Sequence, residues 1–169
     1  LVLTGQHEQA LRETAEAVAL NPNNALAQGY RGGVLTYSGH AAEAIPHLQL
    51  ALRLNPTDPS RFSWVHNACT AYYHMGDYES CLRSGLDLIK LRPNIVHGYR
   101  GALVALAELG RLDEAHVYAD SLFTRFNEAM TVFLSVRYPE FREGDYAAYC
   151  ASVAKGGLVL RDGVLTRVA

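Results

Sequence analysis

His66, Thr70, Tyr73 and His74 stand at i, i+4, i+7 and i+8, so on a helix they share one face and line up imidazole, hydroxyl and phenol groups over about two turns. Such a strip can donate and accept hydrogen bonds along an extended peptide or a short helix. The alternative is a solvated wall with no ligand. His66 and Cys69 are also one turn apart, with His74 two turns beyond His66, a spacing that a zinc ion could use. Signatures of catalysis are missing: there is no Walker loop, no G-x-S-x-G, no G-x-G-x-x-G and no H-E-x-x-H. The nearest glycine-rich stretch, Gly29-Tyr30-Arg31-Gly32-Gly33, lies inside an expected helix. No catalytic role, metal or cofactor is therefore expected of this chain.

The elements that must carry the strip follow from one recurring unit. Gly76–Pro93 reads as a turn, one helix and a stop: the glycine frees the backbone, Leu82, Leu86 and Ile89 form an apolar stripe, and Pro93 cannot continue a helix. The same grammar recurs at Gly5–Pro22 and Gly39–Pro56. Turn glycines fall at Gly5, Gly39, Gly76, Gly110 and Gly144, in steps of 34, 37, 34 and 34 residues, and the extra three fit into the Thr57-Asp58-Pro59-Ser60 connection.

That period gives a single domain over 1–169: a half repeat at 1–24, repeats at 25–56, 57–93 and 94–127, a degenerate capping repeat at 128–157 and a tail at 158–169. Helices are expected over His7–Leu20, Leu26–Ser38, Ala42–Leu54, Pro59–Met75, Tyr78–Leu91, Ile95–Leu109, Leu112–Phe126, Glu128–Val136 and Asp145–Lys155. Asp58 and Pro59 read as an N-cap and first helical residue, and Asn127 as a helix end where the other repeats use proline. Pro139 breaks what should be the first helix of the last copy, leaving an irregular Tyr138–Gly144 segment. In the tail, Asp162-Gly163 between apolar runs is a hairpin signal. Gly29, Gly32 and Gly33 thin one face of their helix for close approach by a neighbouring helix or by a ligand.

Composition sets the outer bounds. A formal charge of −2 lacks the concentrated cations that nucleic acid or anionic membrane would require, and no apolar run approaches the roughly 20 residues of a membrane span. Three cysteines, Cys69, Cys81 and Cys150, suit a reducing compartment better than a disulfide framework, so a cytoplasmic protein is expected. A chain starting at Leu1 with half a repeat is expected to continue upstream.

A 34-residue helix-turn-helix period with turn glycines, small residues early in the second helix (Ala10, Ala44, Ala115) and later in it (Ala17, Ala51), tyrosine after the turn (Tyr78, Tyr146), and the closers Leu20-Asn21-Pro22-Asn23 and Leu54-Asn55-Pro56 resembles the tetratricopeptide repeat family. The resemblance implies an all-α fold, a right-handed superhelix of antiparallel helix pairs whose concave face is lined by the first helix of each pair. Carried onto this sequence, the lining is Leu26, Gly29, Gly33, Thr36 and Tyr37, then Ser63, His66, Thr70, Tyr73 and His74, then His97, Arg100, Val104, Ala107 and Glu108. The chemistry-bearing subset, Tyr37, His66, Thr70, Tyr73, His74, His97, Arg100 and Glu108, is the candidate partner-binding groove. The family's clamp for a terminal carboxylate is not expected, because Gly29, Gly33 and Gly101 stand where it needs polar side chains, although Arg100 can still pair with a carboxylate. The same register puts Cys69 in the inter-helix position and away from the histidines, which argues against the metal. Cys69 and Cys81 are expected as buried thiols in facing positions, and Cys81, Leu88 and Asn127 depart from the family's usual Ala, Ala and Pro. Trp64 and Tyr99 are expected to stack on the previous repeat, or else to anchor a partner.

A finer likeness lies in Ala51-Leu52-Arg53-Leu54-Asn55-Pro56-Thr57-Asp58-Pro59, Phe62-Ser63-Trp64 and Lys155-Gly156-Gly157-Leu158. These resemble the repeat regions that follow bacterial class III adenylate cyclases or the winged-helix domain of some bacterial regulators. It implies a regulatory protein-interaction scaffold that takes a peptide or helix in its groove, within a larger signalling protein. The alternative is an assembly element whose terminal helices make the parent protein a homodimer.

Overall fold

The computed structural model describes residues 6–135 and 144–168. The fold is an all-α helical repeat closed by one small hairpin. In chain order the elements are α1 (His7–Leu20), α2 (Ala25–Tyr37), α3 (Ala41–Leu54), α4 (Arg61–Met75), α5 (Tyr78–Leu91), α6 (Val96–Glu108), α7 (Leu112–Arg125), α8 (Asn127–Ser135), α9 (Asp145–Lys155), β1 (Leu158–Arg161) and β2 (Val164–Arg167). The described residues form two compact units, 6–76 and 77–135 with 144–168, and the division falls between the two helices of the 57–93 repeat. Gly5 and Pro139, which frame the expected half repeat and the helix break, lie outside the described residues.

Turn glycines explain the period. Gly39 and Gly110 adopt φ of 86° and 73°, a left-handed conformation in which a Cβ is strained. At each, the glycine N–H reaches the carbonyl three residues back (Thr36, Ala107) and the next residue's N–H reaches five back (His40 to Leu35, Arg111 to Leu106). These paired bonds are a Schellman closure, so the same backbone device ends α2 and α6. Asn24 starts α2 by accepting the Ala27 N–H at 3.0 Å, and Asp77 starts α5 by accepting the Ser80 N–H at 3.1 Å.

In the first unit the core is Leu35, Ala41, Ala44, Leu48, Ala51, Trp64, Ala68 and Ala71. Burying a leucine such as Leu35 or Leu48 contributes about 1.5–3 kcal/mol. Small residues let the helices close up, and Gly32 of α2 has no room for a Cβ against Leu48 of α3. Of the small positions in the second helices, Ala10, Ala44, Ala51 and Ala115 are buried, whereas Ala17 is exposed.

In the second unit α6 is the central helix, buried from Gly98 to Ala107 apart from half-buried Arg100. It meets α5 backbone to backbone: a Cβ on Gly98 would lie 2.8 Å from the Gly85 carbonyl oxygen, and one on Gly85 would lie 2.9 Å from the Ala102 nitrogen. Cys81 directs its thiol to the Gly101 carbonyl at 3.8 Å in the same seam. The side of α5 that faces the core is therefore Cys81, Leu82, Gly85 and Leu88; Leu82 of the expected stripe is buried, whereas Leu86, expected in the core, is only half-buried. Proximity to the two glycines, more than hydrophobicity, selects the face.

Most helix limits fall at or within one residue of expectation, and two differences have a clear local cause. α4 begins at Arg61 because Asp58 spends its carboxylate on a turn, accepting from Ser60 N at 2.8 Å and Asn55 Nδ2 at 2.9 Å, so Asp58 and Pro59 precede the helix. Asn127 does not end α7 but opens α8, after Phe126 alone.

The tail is a hairpin in the register Leu158 with Arg167 through Arg161 with Val164. Asp162 and Gly163 both have positive φ, 50° and 77°, which is the two-residue turn their sequence calls for. Leu158 and Leu165 are buried, the strands lie on α7, α8 and α9, and Arg167 pairs with Asp120 at 3.0 Å over the Phe123 ring.

Candidate functional site

α4 is anchored on one side by Trp64, Val65, Ala68, Cys69 and Ala71, all buried. Cys69 thus faces the core, and His66 lies half-buried on a different face, so the two do not converge. Among the described residues no group of three or more His, Cys, Asp or Glu could hold a metal ion.

α2 lies alongside α4. A Cβ on Gly29 would run into the Trp64 indole, and one on Gly33 into the Asn67 amide. Neighbouring helices therefore account for all three glycines of α2, Gly32 serving α3 and the other two α4. Because Gly29 meets Trp64 and Gly33 meets Asn67, the two helices run parallel. What remains outward on α4 is Ser63, exposed, with His66, Thr70, Tyr73 and His74, half-buried. The Tyr73 and His74 rings meet edge to face, centroids 5.6 Å apart. Thr70 donates its hydroxyl back to the His66 carbonyl at 3.1 Å, which leaves its methyl and oxygen lone pairs for other contacts.

On α2 the expected lining is only partly outward. Gly29, Gly33 and Thr36 are buried, Thr36 donating to the Gly32 carbonyl at 2.9 Å, while Leu26 is 42% exposed and Tyr37 half-buried. The residue missed by the sequence reading is Tyr30, 64% exposed. It lies i+4 from Leu26 and seven before Tyr37, so helical spacing alone would have placed it on their face.

Polar stitches hold α2 in place behind that face. Arg31 donates to the Leu11 carbonyl at 2.6 Å, Gln28 donates to the Pro22 carbonyl at 2.6 Å, and His47 Nδ1 meets Gln28 Oε1 at 2.6 Å. Burial, and then the Arg31 charge, hold the His47 pKa below the ordinary histidine value, so near neutrality it is an uncharged Nδ1–H donor to the amide oxygen.

The other three candidates lie on α6, in the second unit. His97 is half-buried, and burial followed by the Arg100 charge lowers its pKa to about 4, which keeps it neutral near pH 7. Val104 and Ala107 are buried. Glu108 is engaged from α9: Ser152 donates to Oε1 at 2.7 Å and Lys155 to Oε2 at 3.2 Å. The Ser152 hydrogen bond and, after it, Lys155 hold the Glu108 carboxyl below the usual range against the opposing effect of burial. With Gly156 of the same segment against Leu103 and Ala107, α9 runs antiparallel to α6.

The structure therefore brings Tyr37, His66, Thr70, Tyr73 and His74 together within the first unit, on two adjacent helices. His97, Arg100 and Glu108 belong to the second. Trp64 stacks on Gly29 of the preceding repeat as expected and is 2% exposed. Tyr99 instead packs within its own repeat, against Phe126 at 5.0 Å and Tyr118 at 6.4 Å, and its hydroxyl links Pro93 and Arg125. Among the described residues no helix is long and apolar enough to cross a membrane.

No known family's sequence profile matches the chain. A curated relative, a DnaJ homolog subfamily C member 7 homolog from Schizosaccharomyces pombe, is 28% identical over 121 residues. The match covers 64% of this chain and 25% of the relative, so the chain spans about a quarter of that protein's length.

Proposed function

We propose that this chain is a tetratricopeptide-like protein-interaction module that takes a peptide or helix of a partner protein along α4 and the outward edge of α2. The observation that carries the reading is the outward row of Ser63, His66, Thr70, Tyr73 and His74, on a helix whose opposite side is locked into the core. A rigid element presenting rotatable donors, acceptors and aromatic rings suits recognition of a peptide backbone. The module performs no catalysis of its own in this reading. Its finer setting, a regulatory segment of a larger bacterial signalling protein in the cytoplasm, rests on the sequence likeness of residues 51–59, 62–64 and 155–158.

Peptides selected from a display library against the full chain provide the test. Tyr73→Glu and His74→Glu should lower affinity for the selected peptides by about tenfold or more while the far-ultraviolet spectrum and solution mass stay unchanged. Undiminished binding by both variants would sink the α4 reading. Self-association is a second reading, favoured by the exposure of Val117 and Val164 in the second unit. It predicts a dimer mass in light scattering that Val117→Glu or Val164→Glu reduces to that of a monomer.

A further inference from the structure

We infer that α6, in the second unit, carries a helix-binding face that α9 fills from within the chain and that a partner helix with the same contact residues can take in its place. This surface is separate from the α2 and α4 face. The first observation is which helix lies there. α2 packs on α4, so the first helix of one repeat meets the first helix of the next, and the two run parallel. α6 packs instead on α9, and Gly144-Asp145-Tyr146, which repeats Gly76-Asp77-Tyr78, marks α9 as the second helix of its copy. A second helix thus lies reversed where a first helix would continue the stack, which makes α9 an occupant of the face and not its next repeat.

The second observation is how α9 is held. Tyr149, Ser152, Val153 and Gly156 stand at i, i+3, i+4 and i+7 and are buried, whereas Ala147, Ala148 and Ala151 are exposed. Gly156 has no room for a Cβ against Leu103. Ser152 and Lys155, one turn apart, both donate to Glu108, at 2.7 and 3.2 Å, and Glu108 is the one carboxylate of α6 (VHGYRGALVALAE). The face therefore selects a helix with a small residue for Leu103 and Ala107 and a hydroxyl and a cation for Glu108, the pattern Ser-x-x-Lys-Gly, and repels one with a carboxylate in place of the lysine.

The third observation is what lets α9 leave. It has 11 residues, too few for a helix that is stable alone, and it joins the hairpin through Gly156-Gly157, where Gly157 has φ of 100°. The hairpin has anchors of its own, with Leu165 buried and Arg167 paired with Asp120 of α7, so α9 can swing about the two glycines while the hairpin stays in place.

The test uses the full chain and a fluorescein-labelled peptide of residues 144–157, read by anisotropy, with hydrogen exchange on the protein alone. The parent chain should bind the peptide weakly, because the tethered α9 competes at high effective concentration. Val153→Glu disrupts the buried side of α9 and leaves α6 unaltered, so it should bind about tenfold tighter or more. Lys155→Glu, at an exposed side chain that the fold tolerates, should bind about threefold tighter than the parent. Adding Glu108→Lys to Val153→Glu should abolish binding, and a peptide carrying Lys155→Glu should restore it. Peptide binding by both opened variants no tighter than by the parent overturns the inference. Loss of amide protection in α5 and α7 together with α9 in Val153→Glu also overturns it, since α9 is then a piece of the core. Binding that survives Glu108→Lys overturns the assignment to this face.

Discussion

α2 and α6 are the same element of the repeat, ended by the same left-handed glycine and the same pair of closing hydrogen bonds, yet their neighbours treat them differently. In the first unit α4 runs parallel to α2 and meets it through side chains, the indole and amide filling space over Gly29 and Gly33, which leaves Leu26 and Tyr30 outward. In the second unit α9 runs antiparallel to α6 about one turn further along, and its Ser152, Lys155 and Gly156 cover Leu103, Ala107 and Glu108. One backbone plan thus leaves Leu26 and Tyr30 outward in one place and is covered by α9 in another. The difference lies in which helix arrives next and in which direction.

Substitutions at the glycines should break this contrast most strongly. Gly85→Ala forces a Cβ against the α6 backbone, which cannot swing aside, and should cost about 3 kcal/mol in denaturant unfolding. Gly33→Ala meets only the end of the Asn67 amide and gains about 1 kcal/mol of helix propensity, so its net effect should stay within about 1 kcal/mol. Comparable costs for the two would show that both seams are equally rigid.

The next effect is in the pH profile. Because the folded pKa of His97, about 4, lies below the ordinary 6.5, the unfolded chain takes up the proton first as pH falls. Its contribution to stability is complete above about pH 6.5 and declines toward pH 4, by on the order of 2–3 kcal/mol given that the ring is only partly enclosed. Unfolding midpoints of His97→Gln measured across that range should show a flatter slope than the parent. An unchanged slope would contradict the burial of this ring.

Much of the fold was legible in the sequence, for identifiable reasons. α1, α5 and α9 have the expected limits; α5 starts at the Asp77 cap after Gly76 and α9 follows Gly144 at positive φ, both local devices, and the hairpin follows from Asp162 and Gly163, whose backbone needs no tertiary help. Hydrophobicity alone puts Leu82 and Leu86 on one stripe; Leu82 is buried, but the close approach of Gly85 and Gly98 turns the helix so that Leu86 is only half-buried. Tyr30 lies outside the lining positions that the family resemblance implies, and only its helical spacing from Leu26 and Tyr37 places it on their face. The direction of α9 was not readable at all: Gly144-Asp145-Tyr146 repeats Gly76-Asp77-Tyr78 letter for letter, and only packing reveals that the following helix lies antiparallel on α6.

Smaller effects sharpen the comparison further. Ser152→Ala removes the donor to Glu108 and should cost about 1 kcal/mol, an effect confined to protection of α6 and α9 amides in hydrogen exchange. Equal loss of protection in α2 and α4 would show that this bond does not act locally. Tyr30→Ala should change stability by less than about 0.5 kcal/mol, since its side chain is mostly in solvent. A larger loss would mean that the tyrosine serves the fold.

The central claim, that partner recognition belongs to the α2 and α4 face, is tested most directly by backbone amide chemical shifts of the full chain titrated with a selected peptide. The account predicts that the largest saturable shifts fall around Tyr30, Tyr37, His66, Tyr73 and His74, with α7 and the hairpin silent. Shifts concentrated on α7, β1 and β2, with α2 and α4 unmoved, would contradict it.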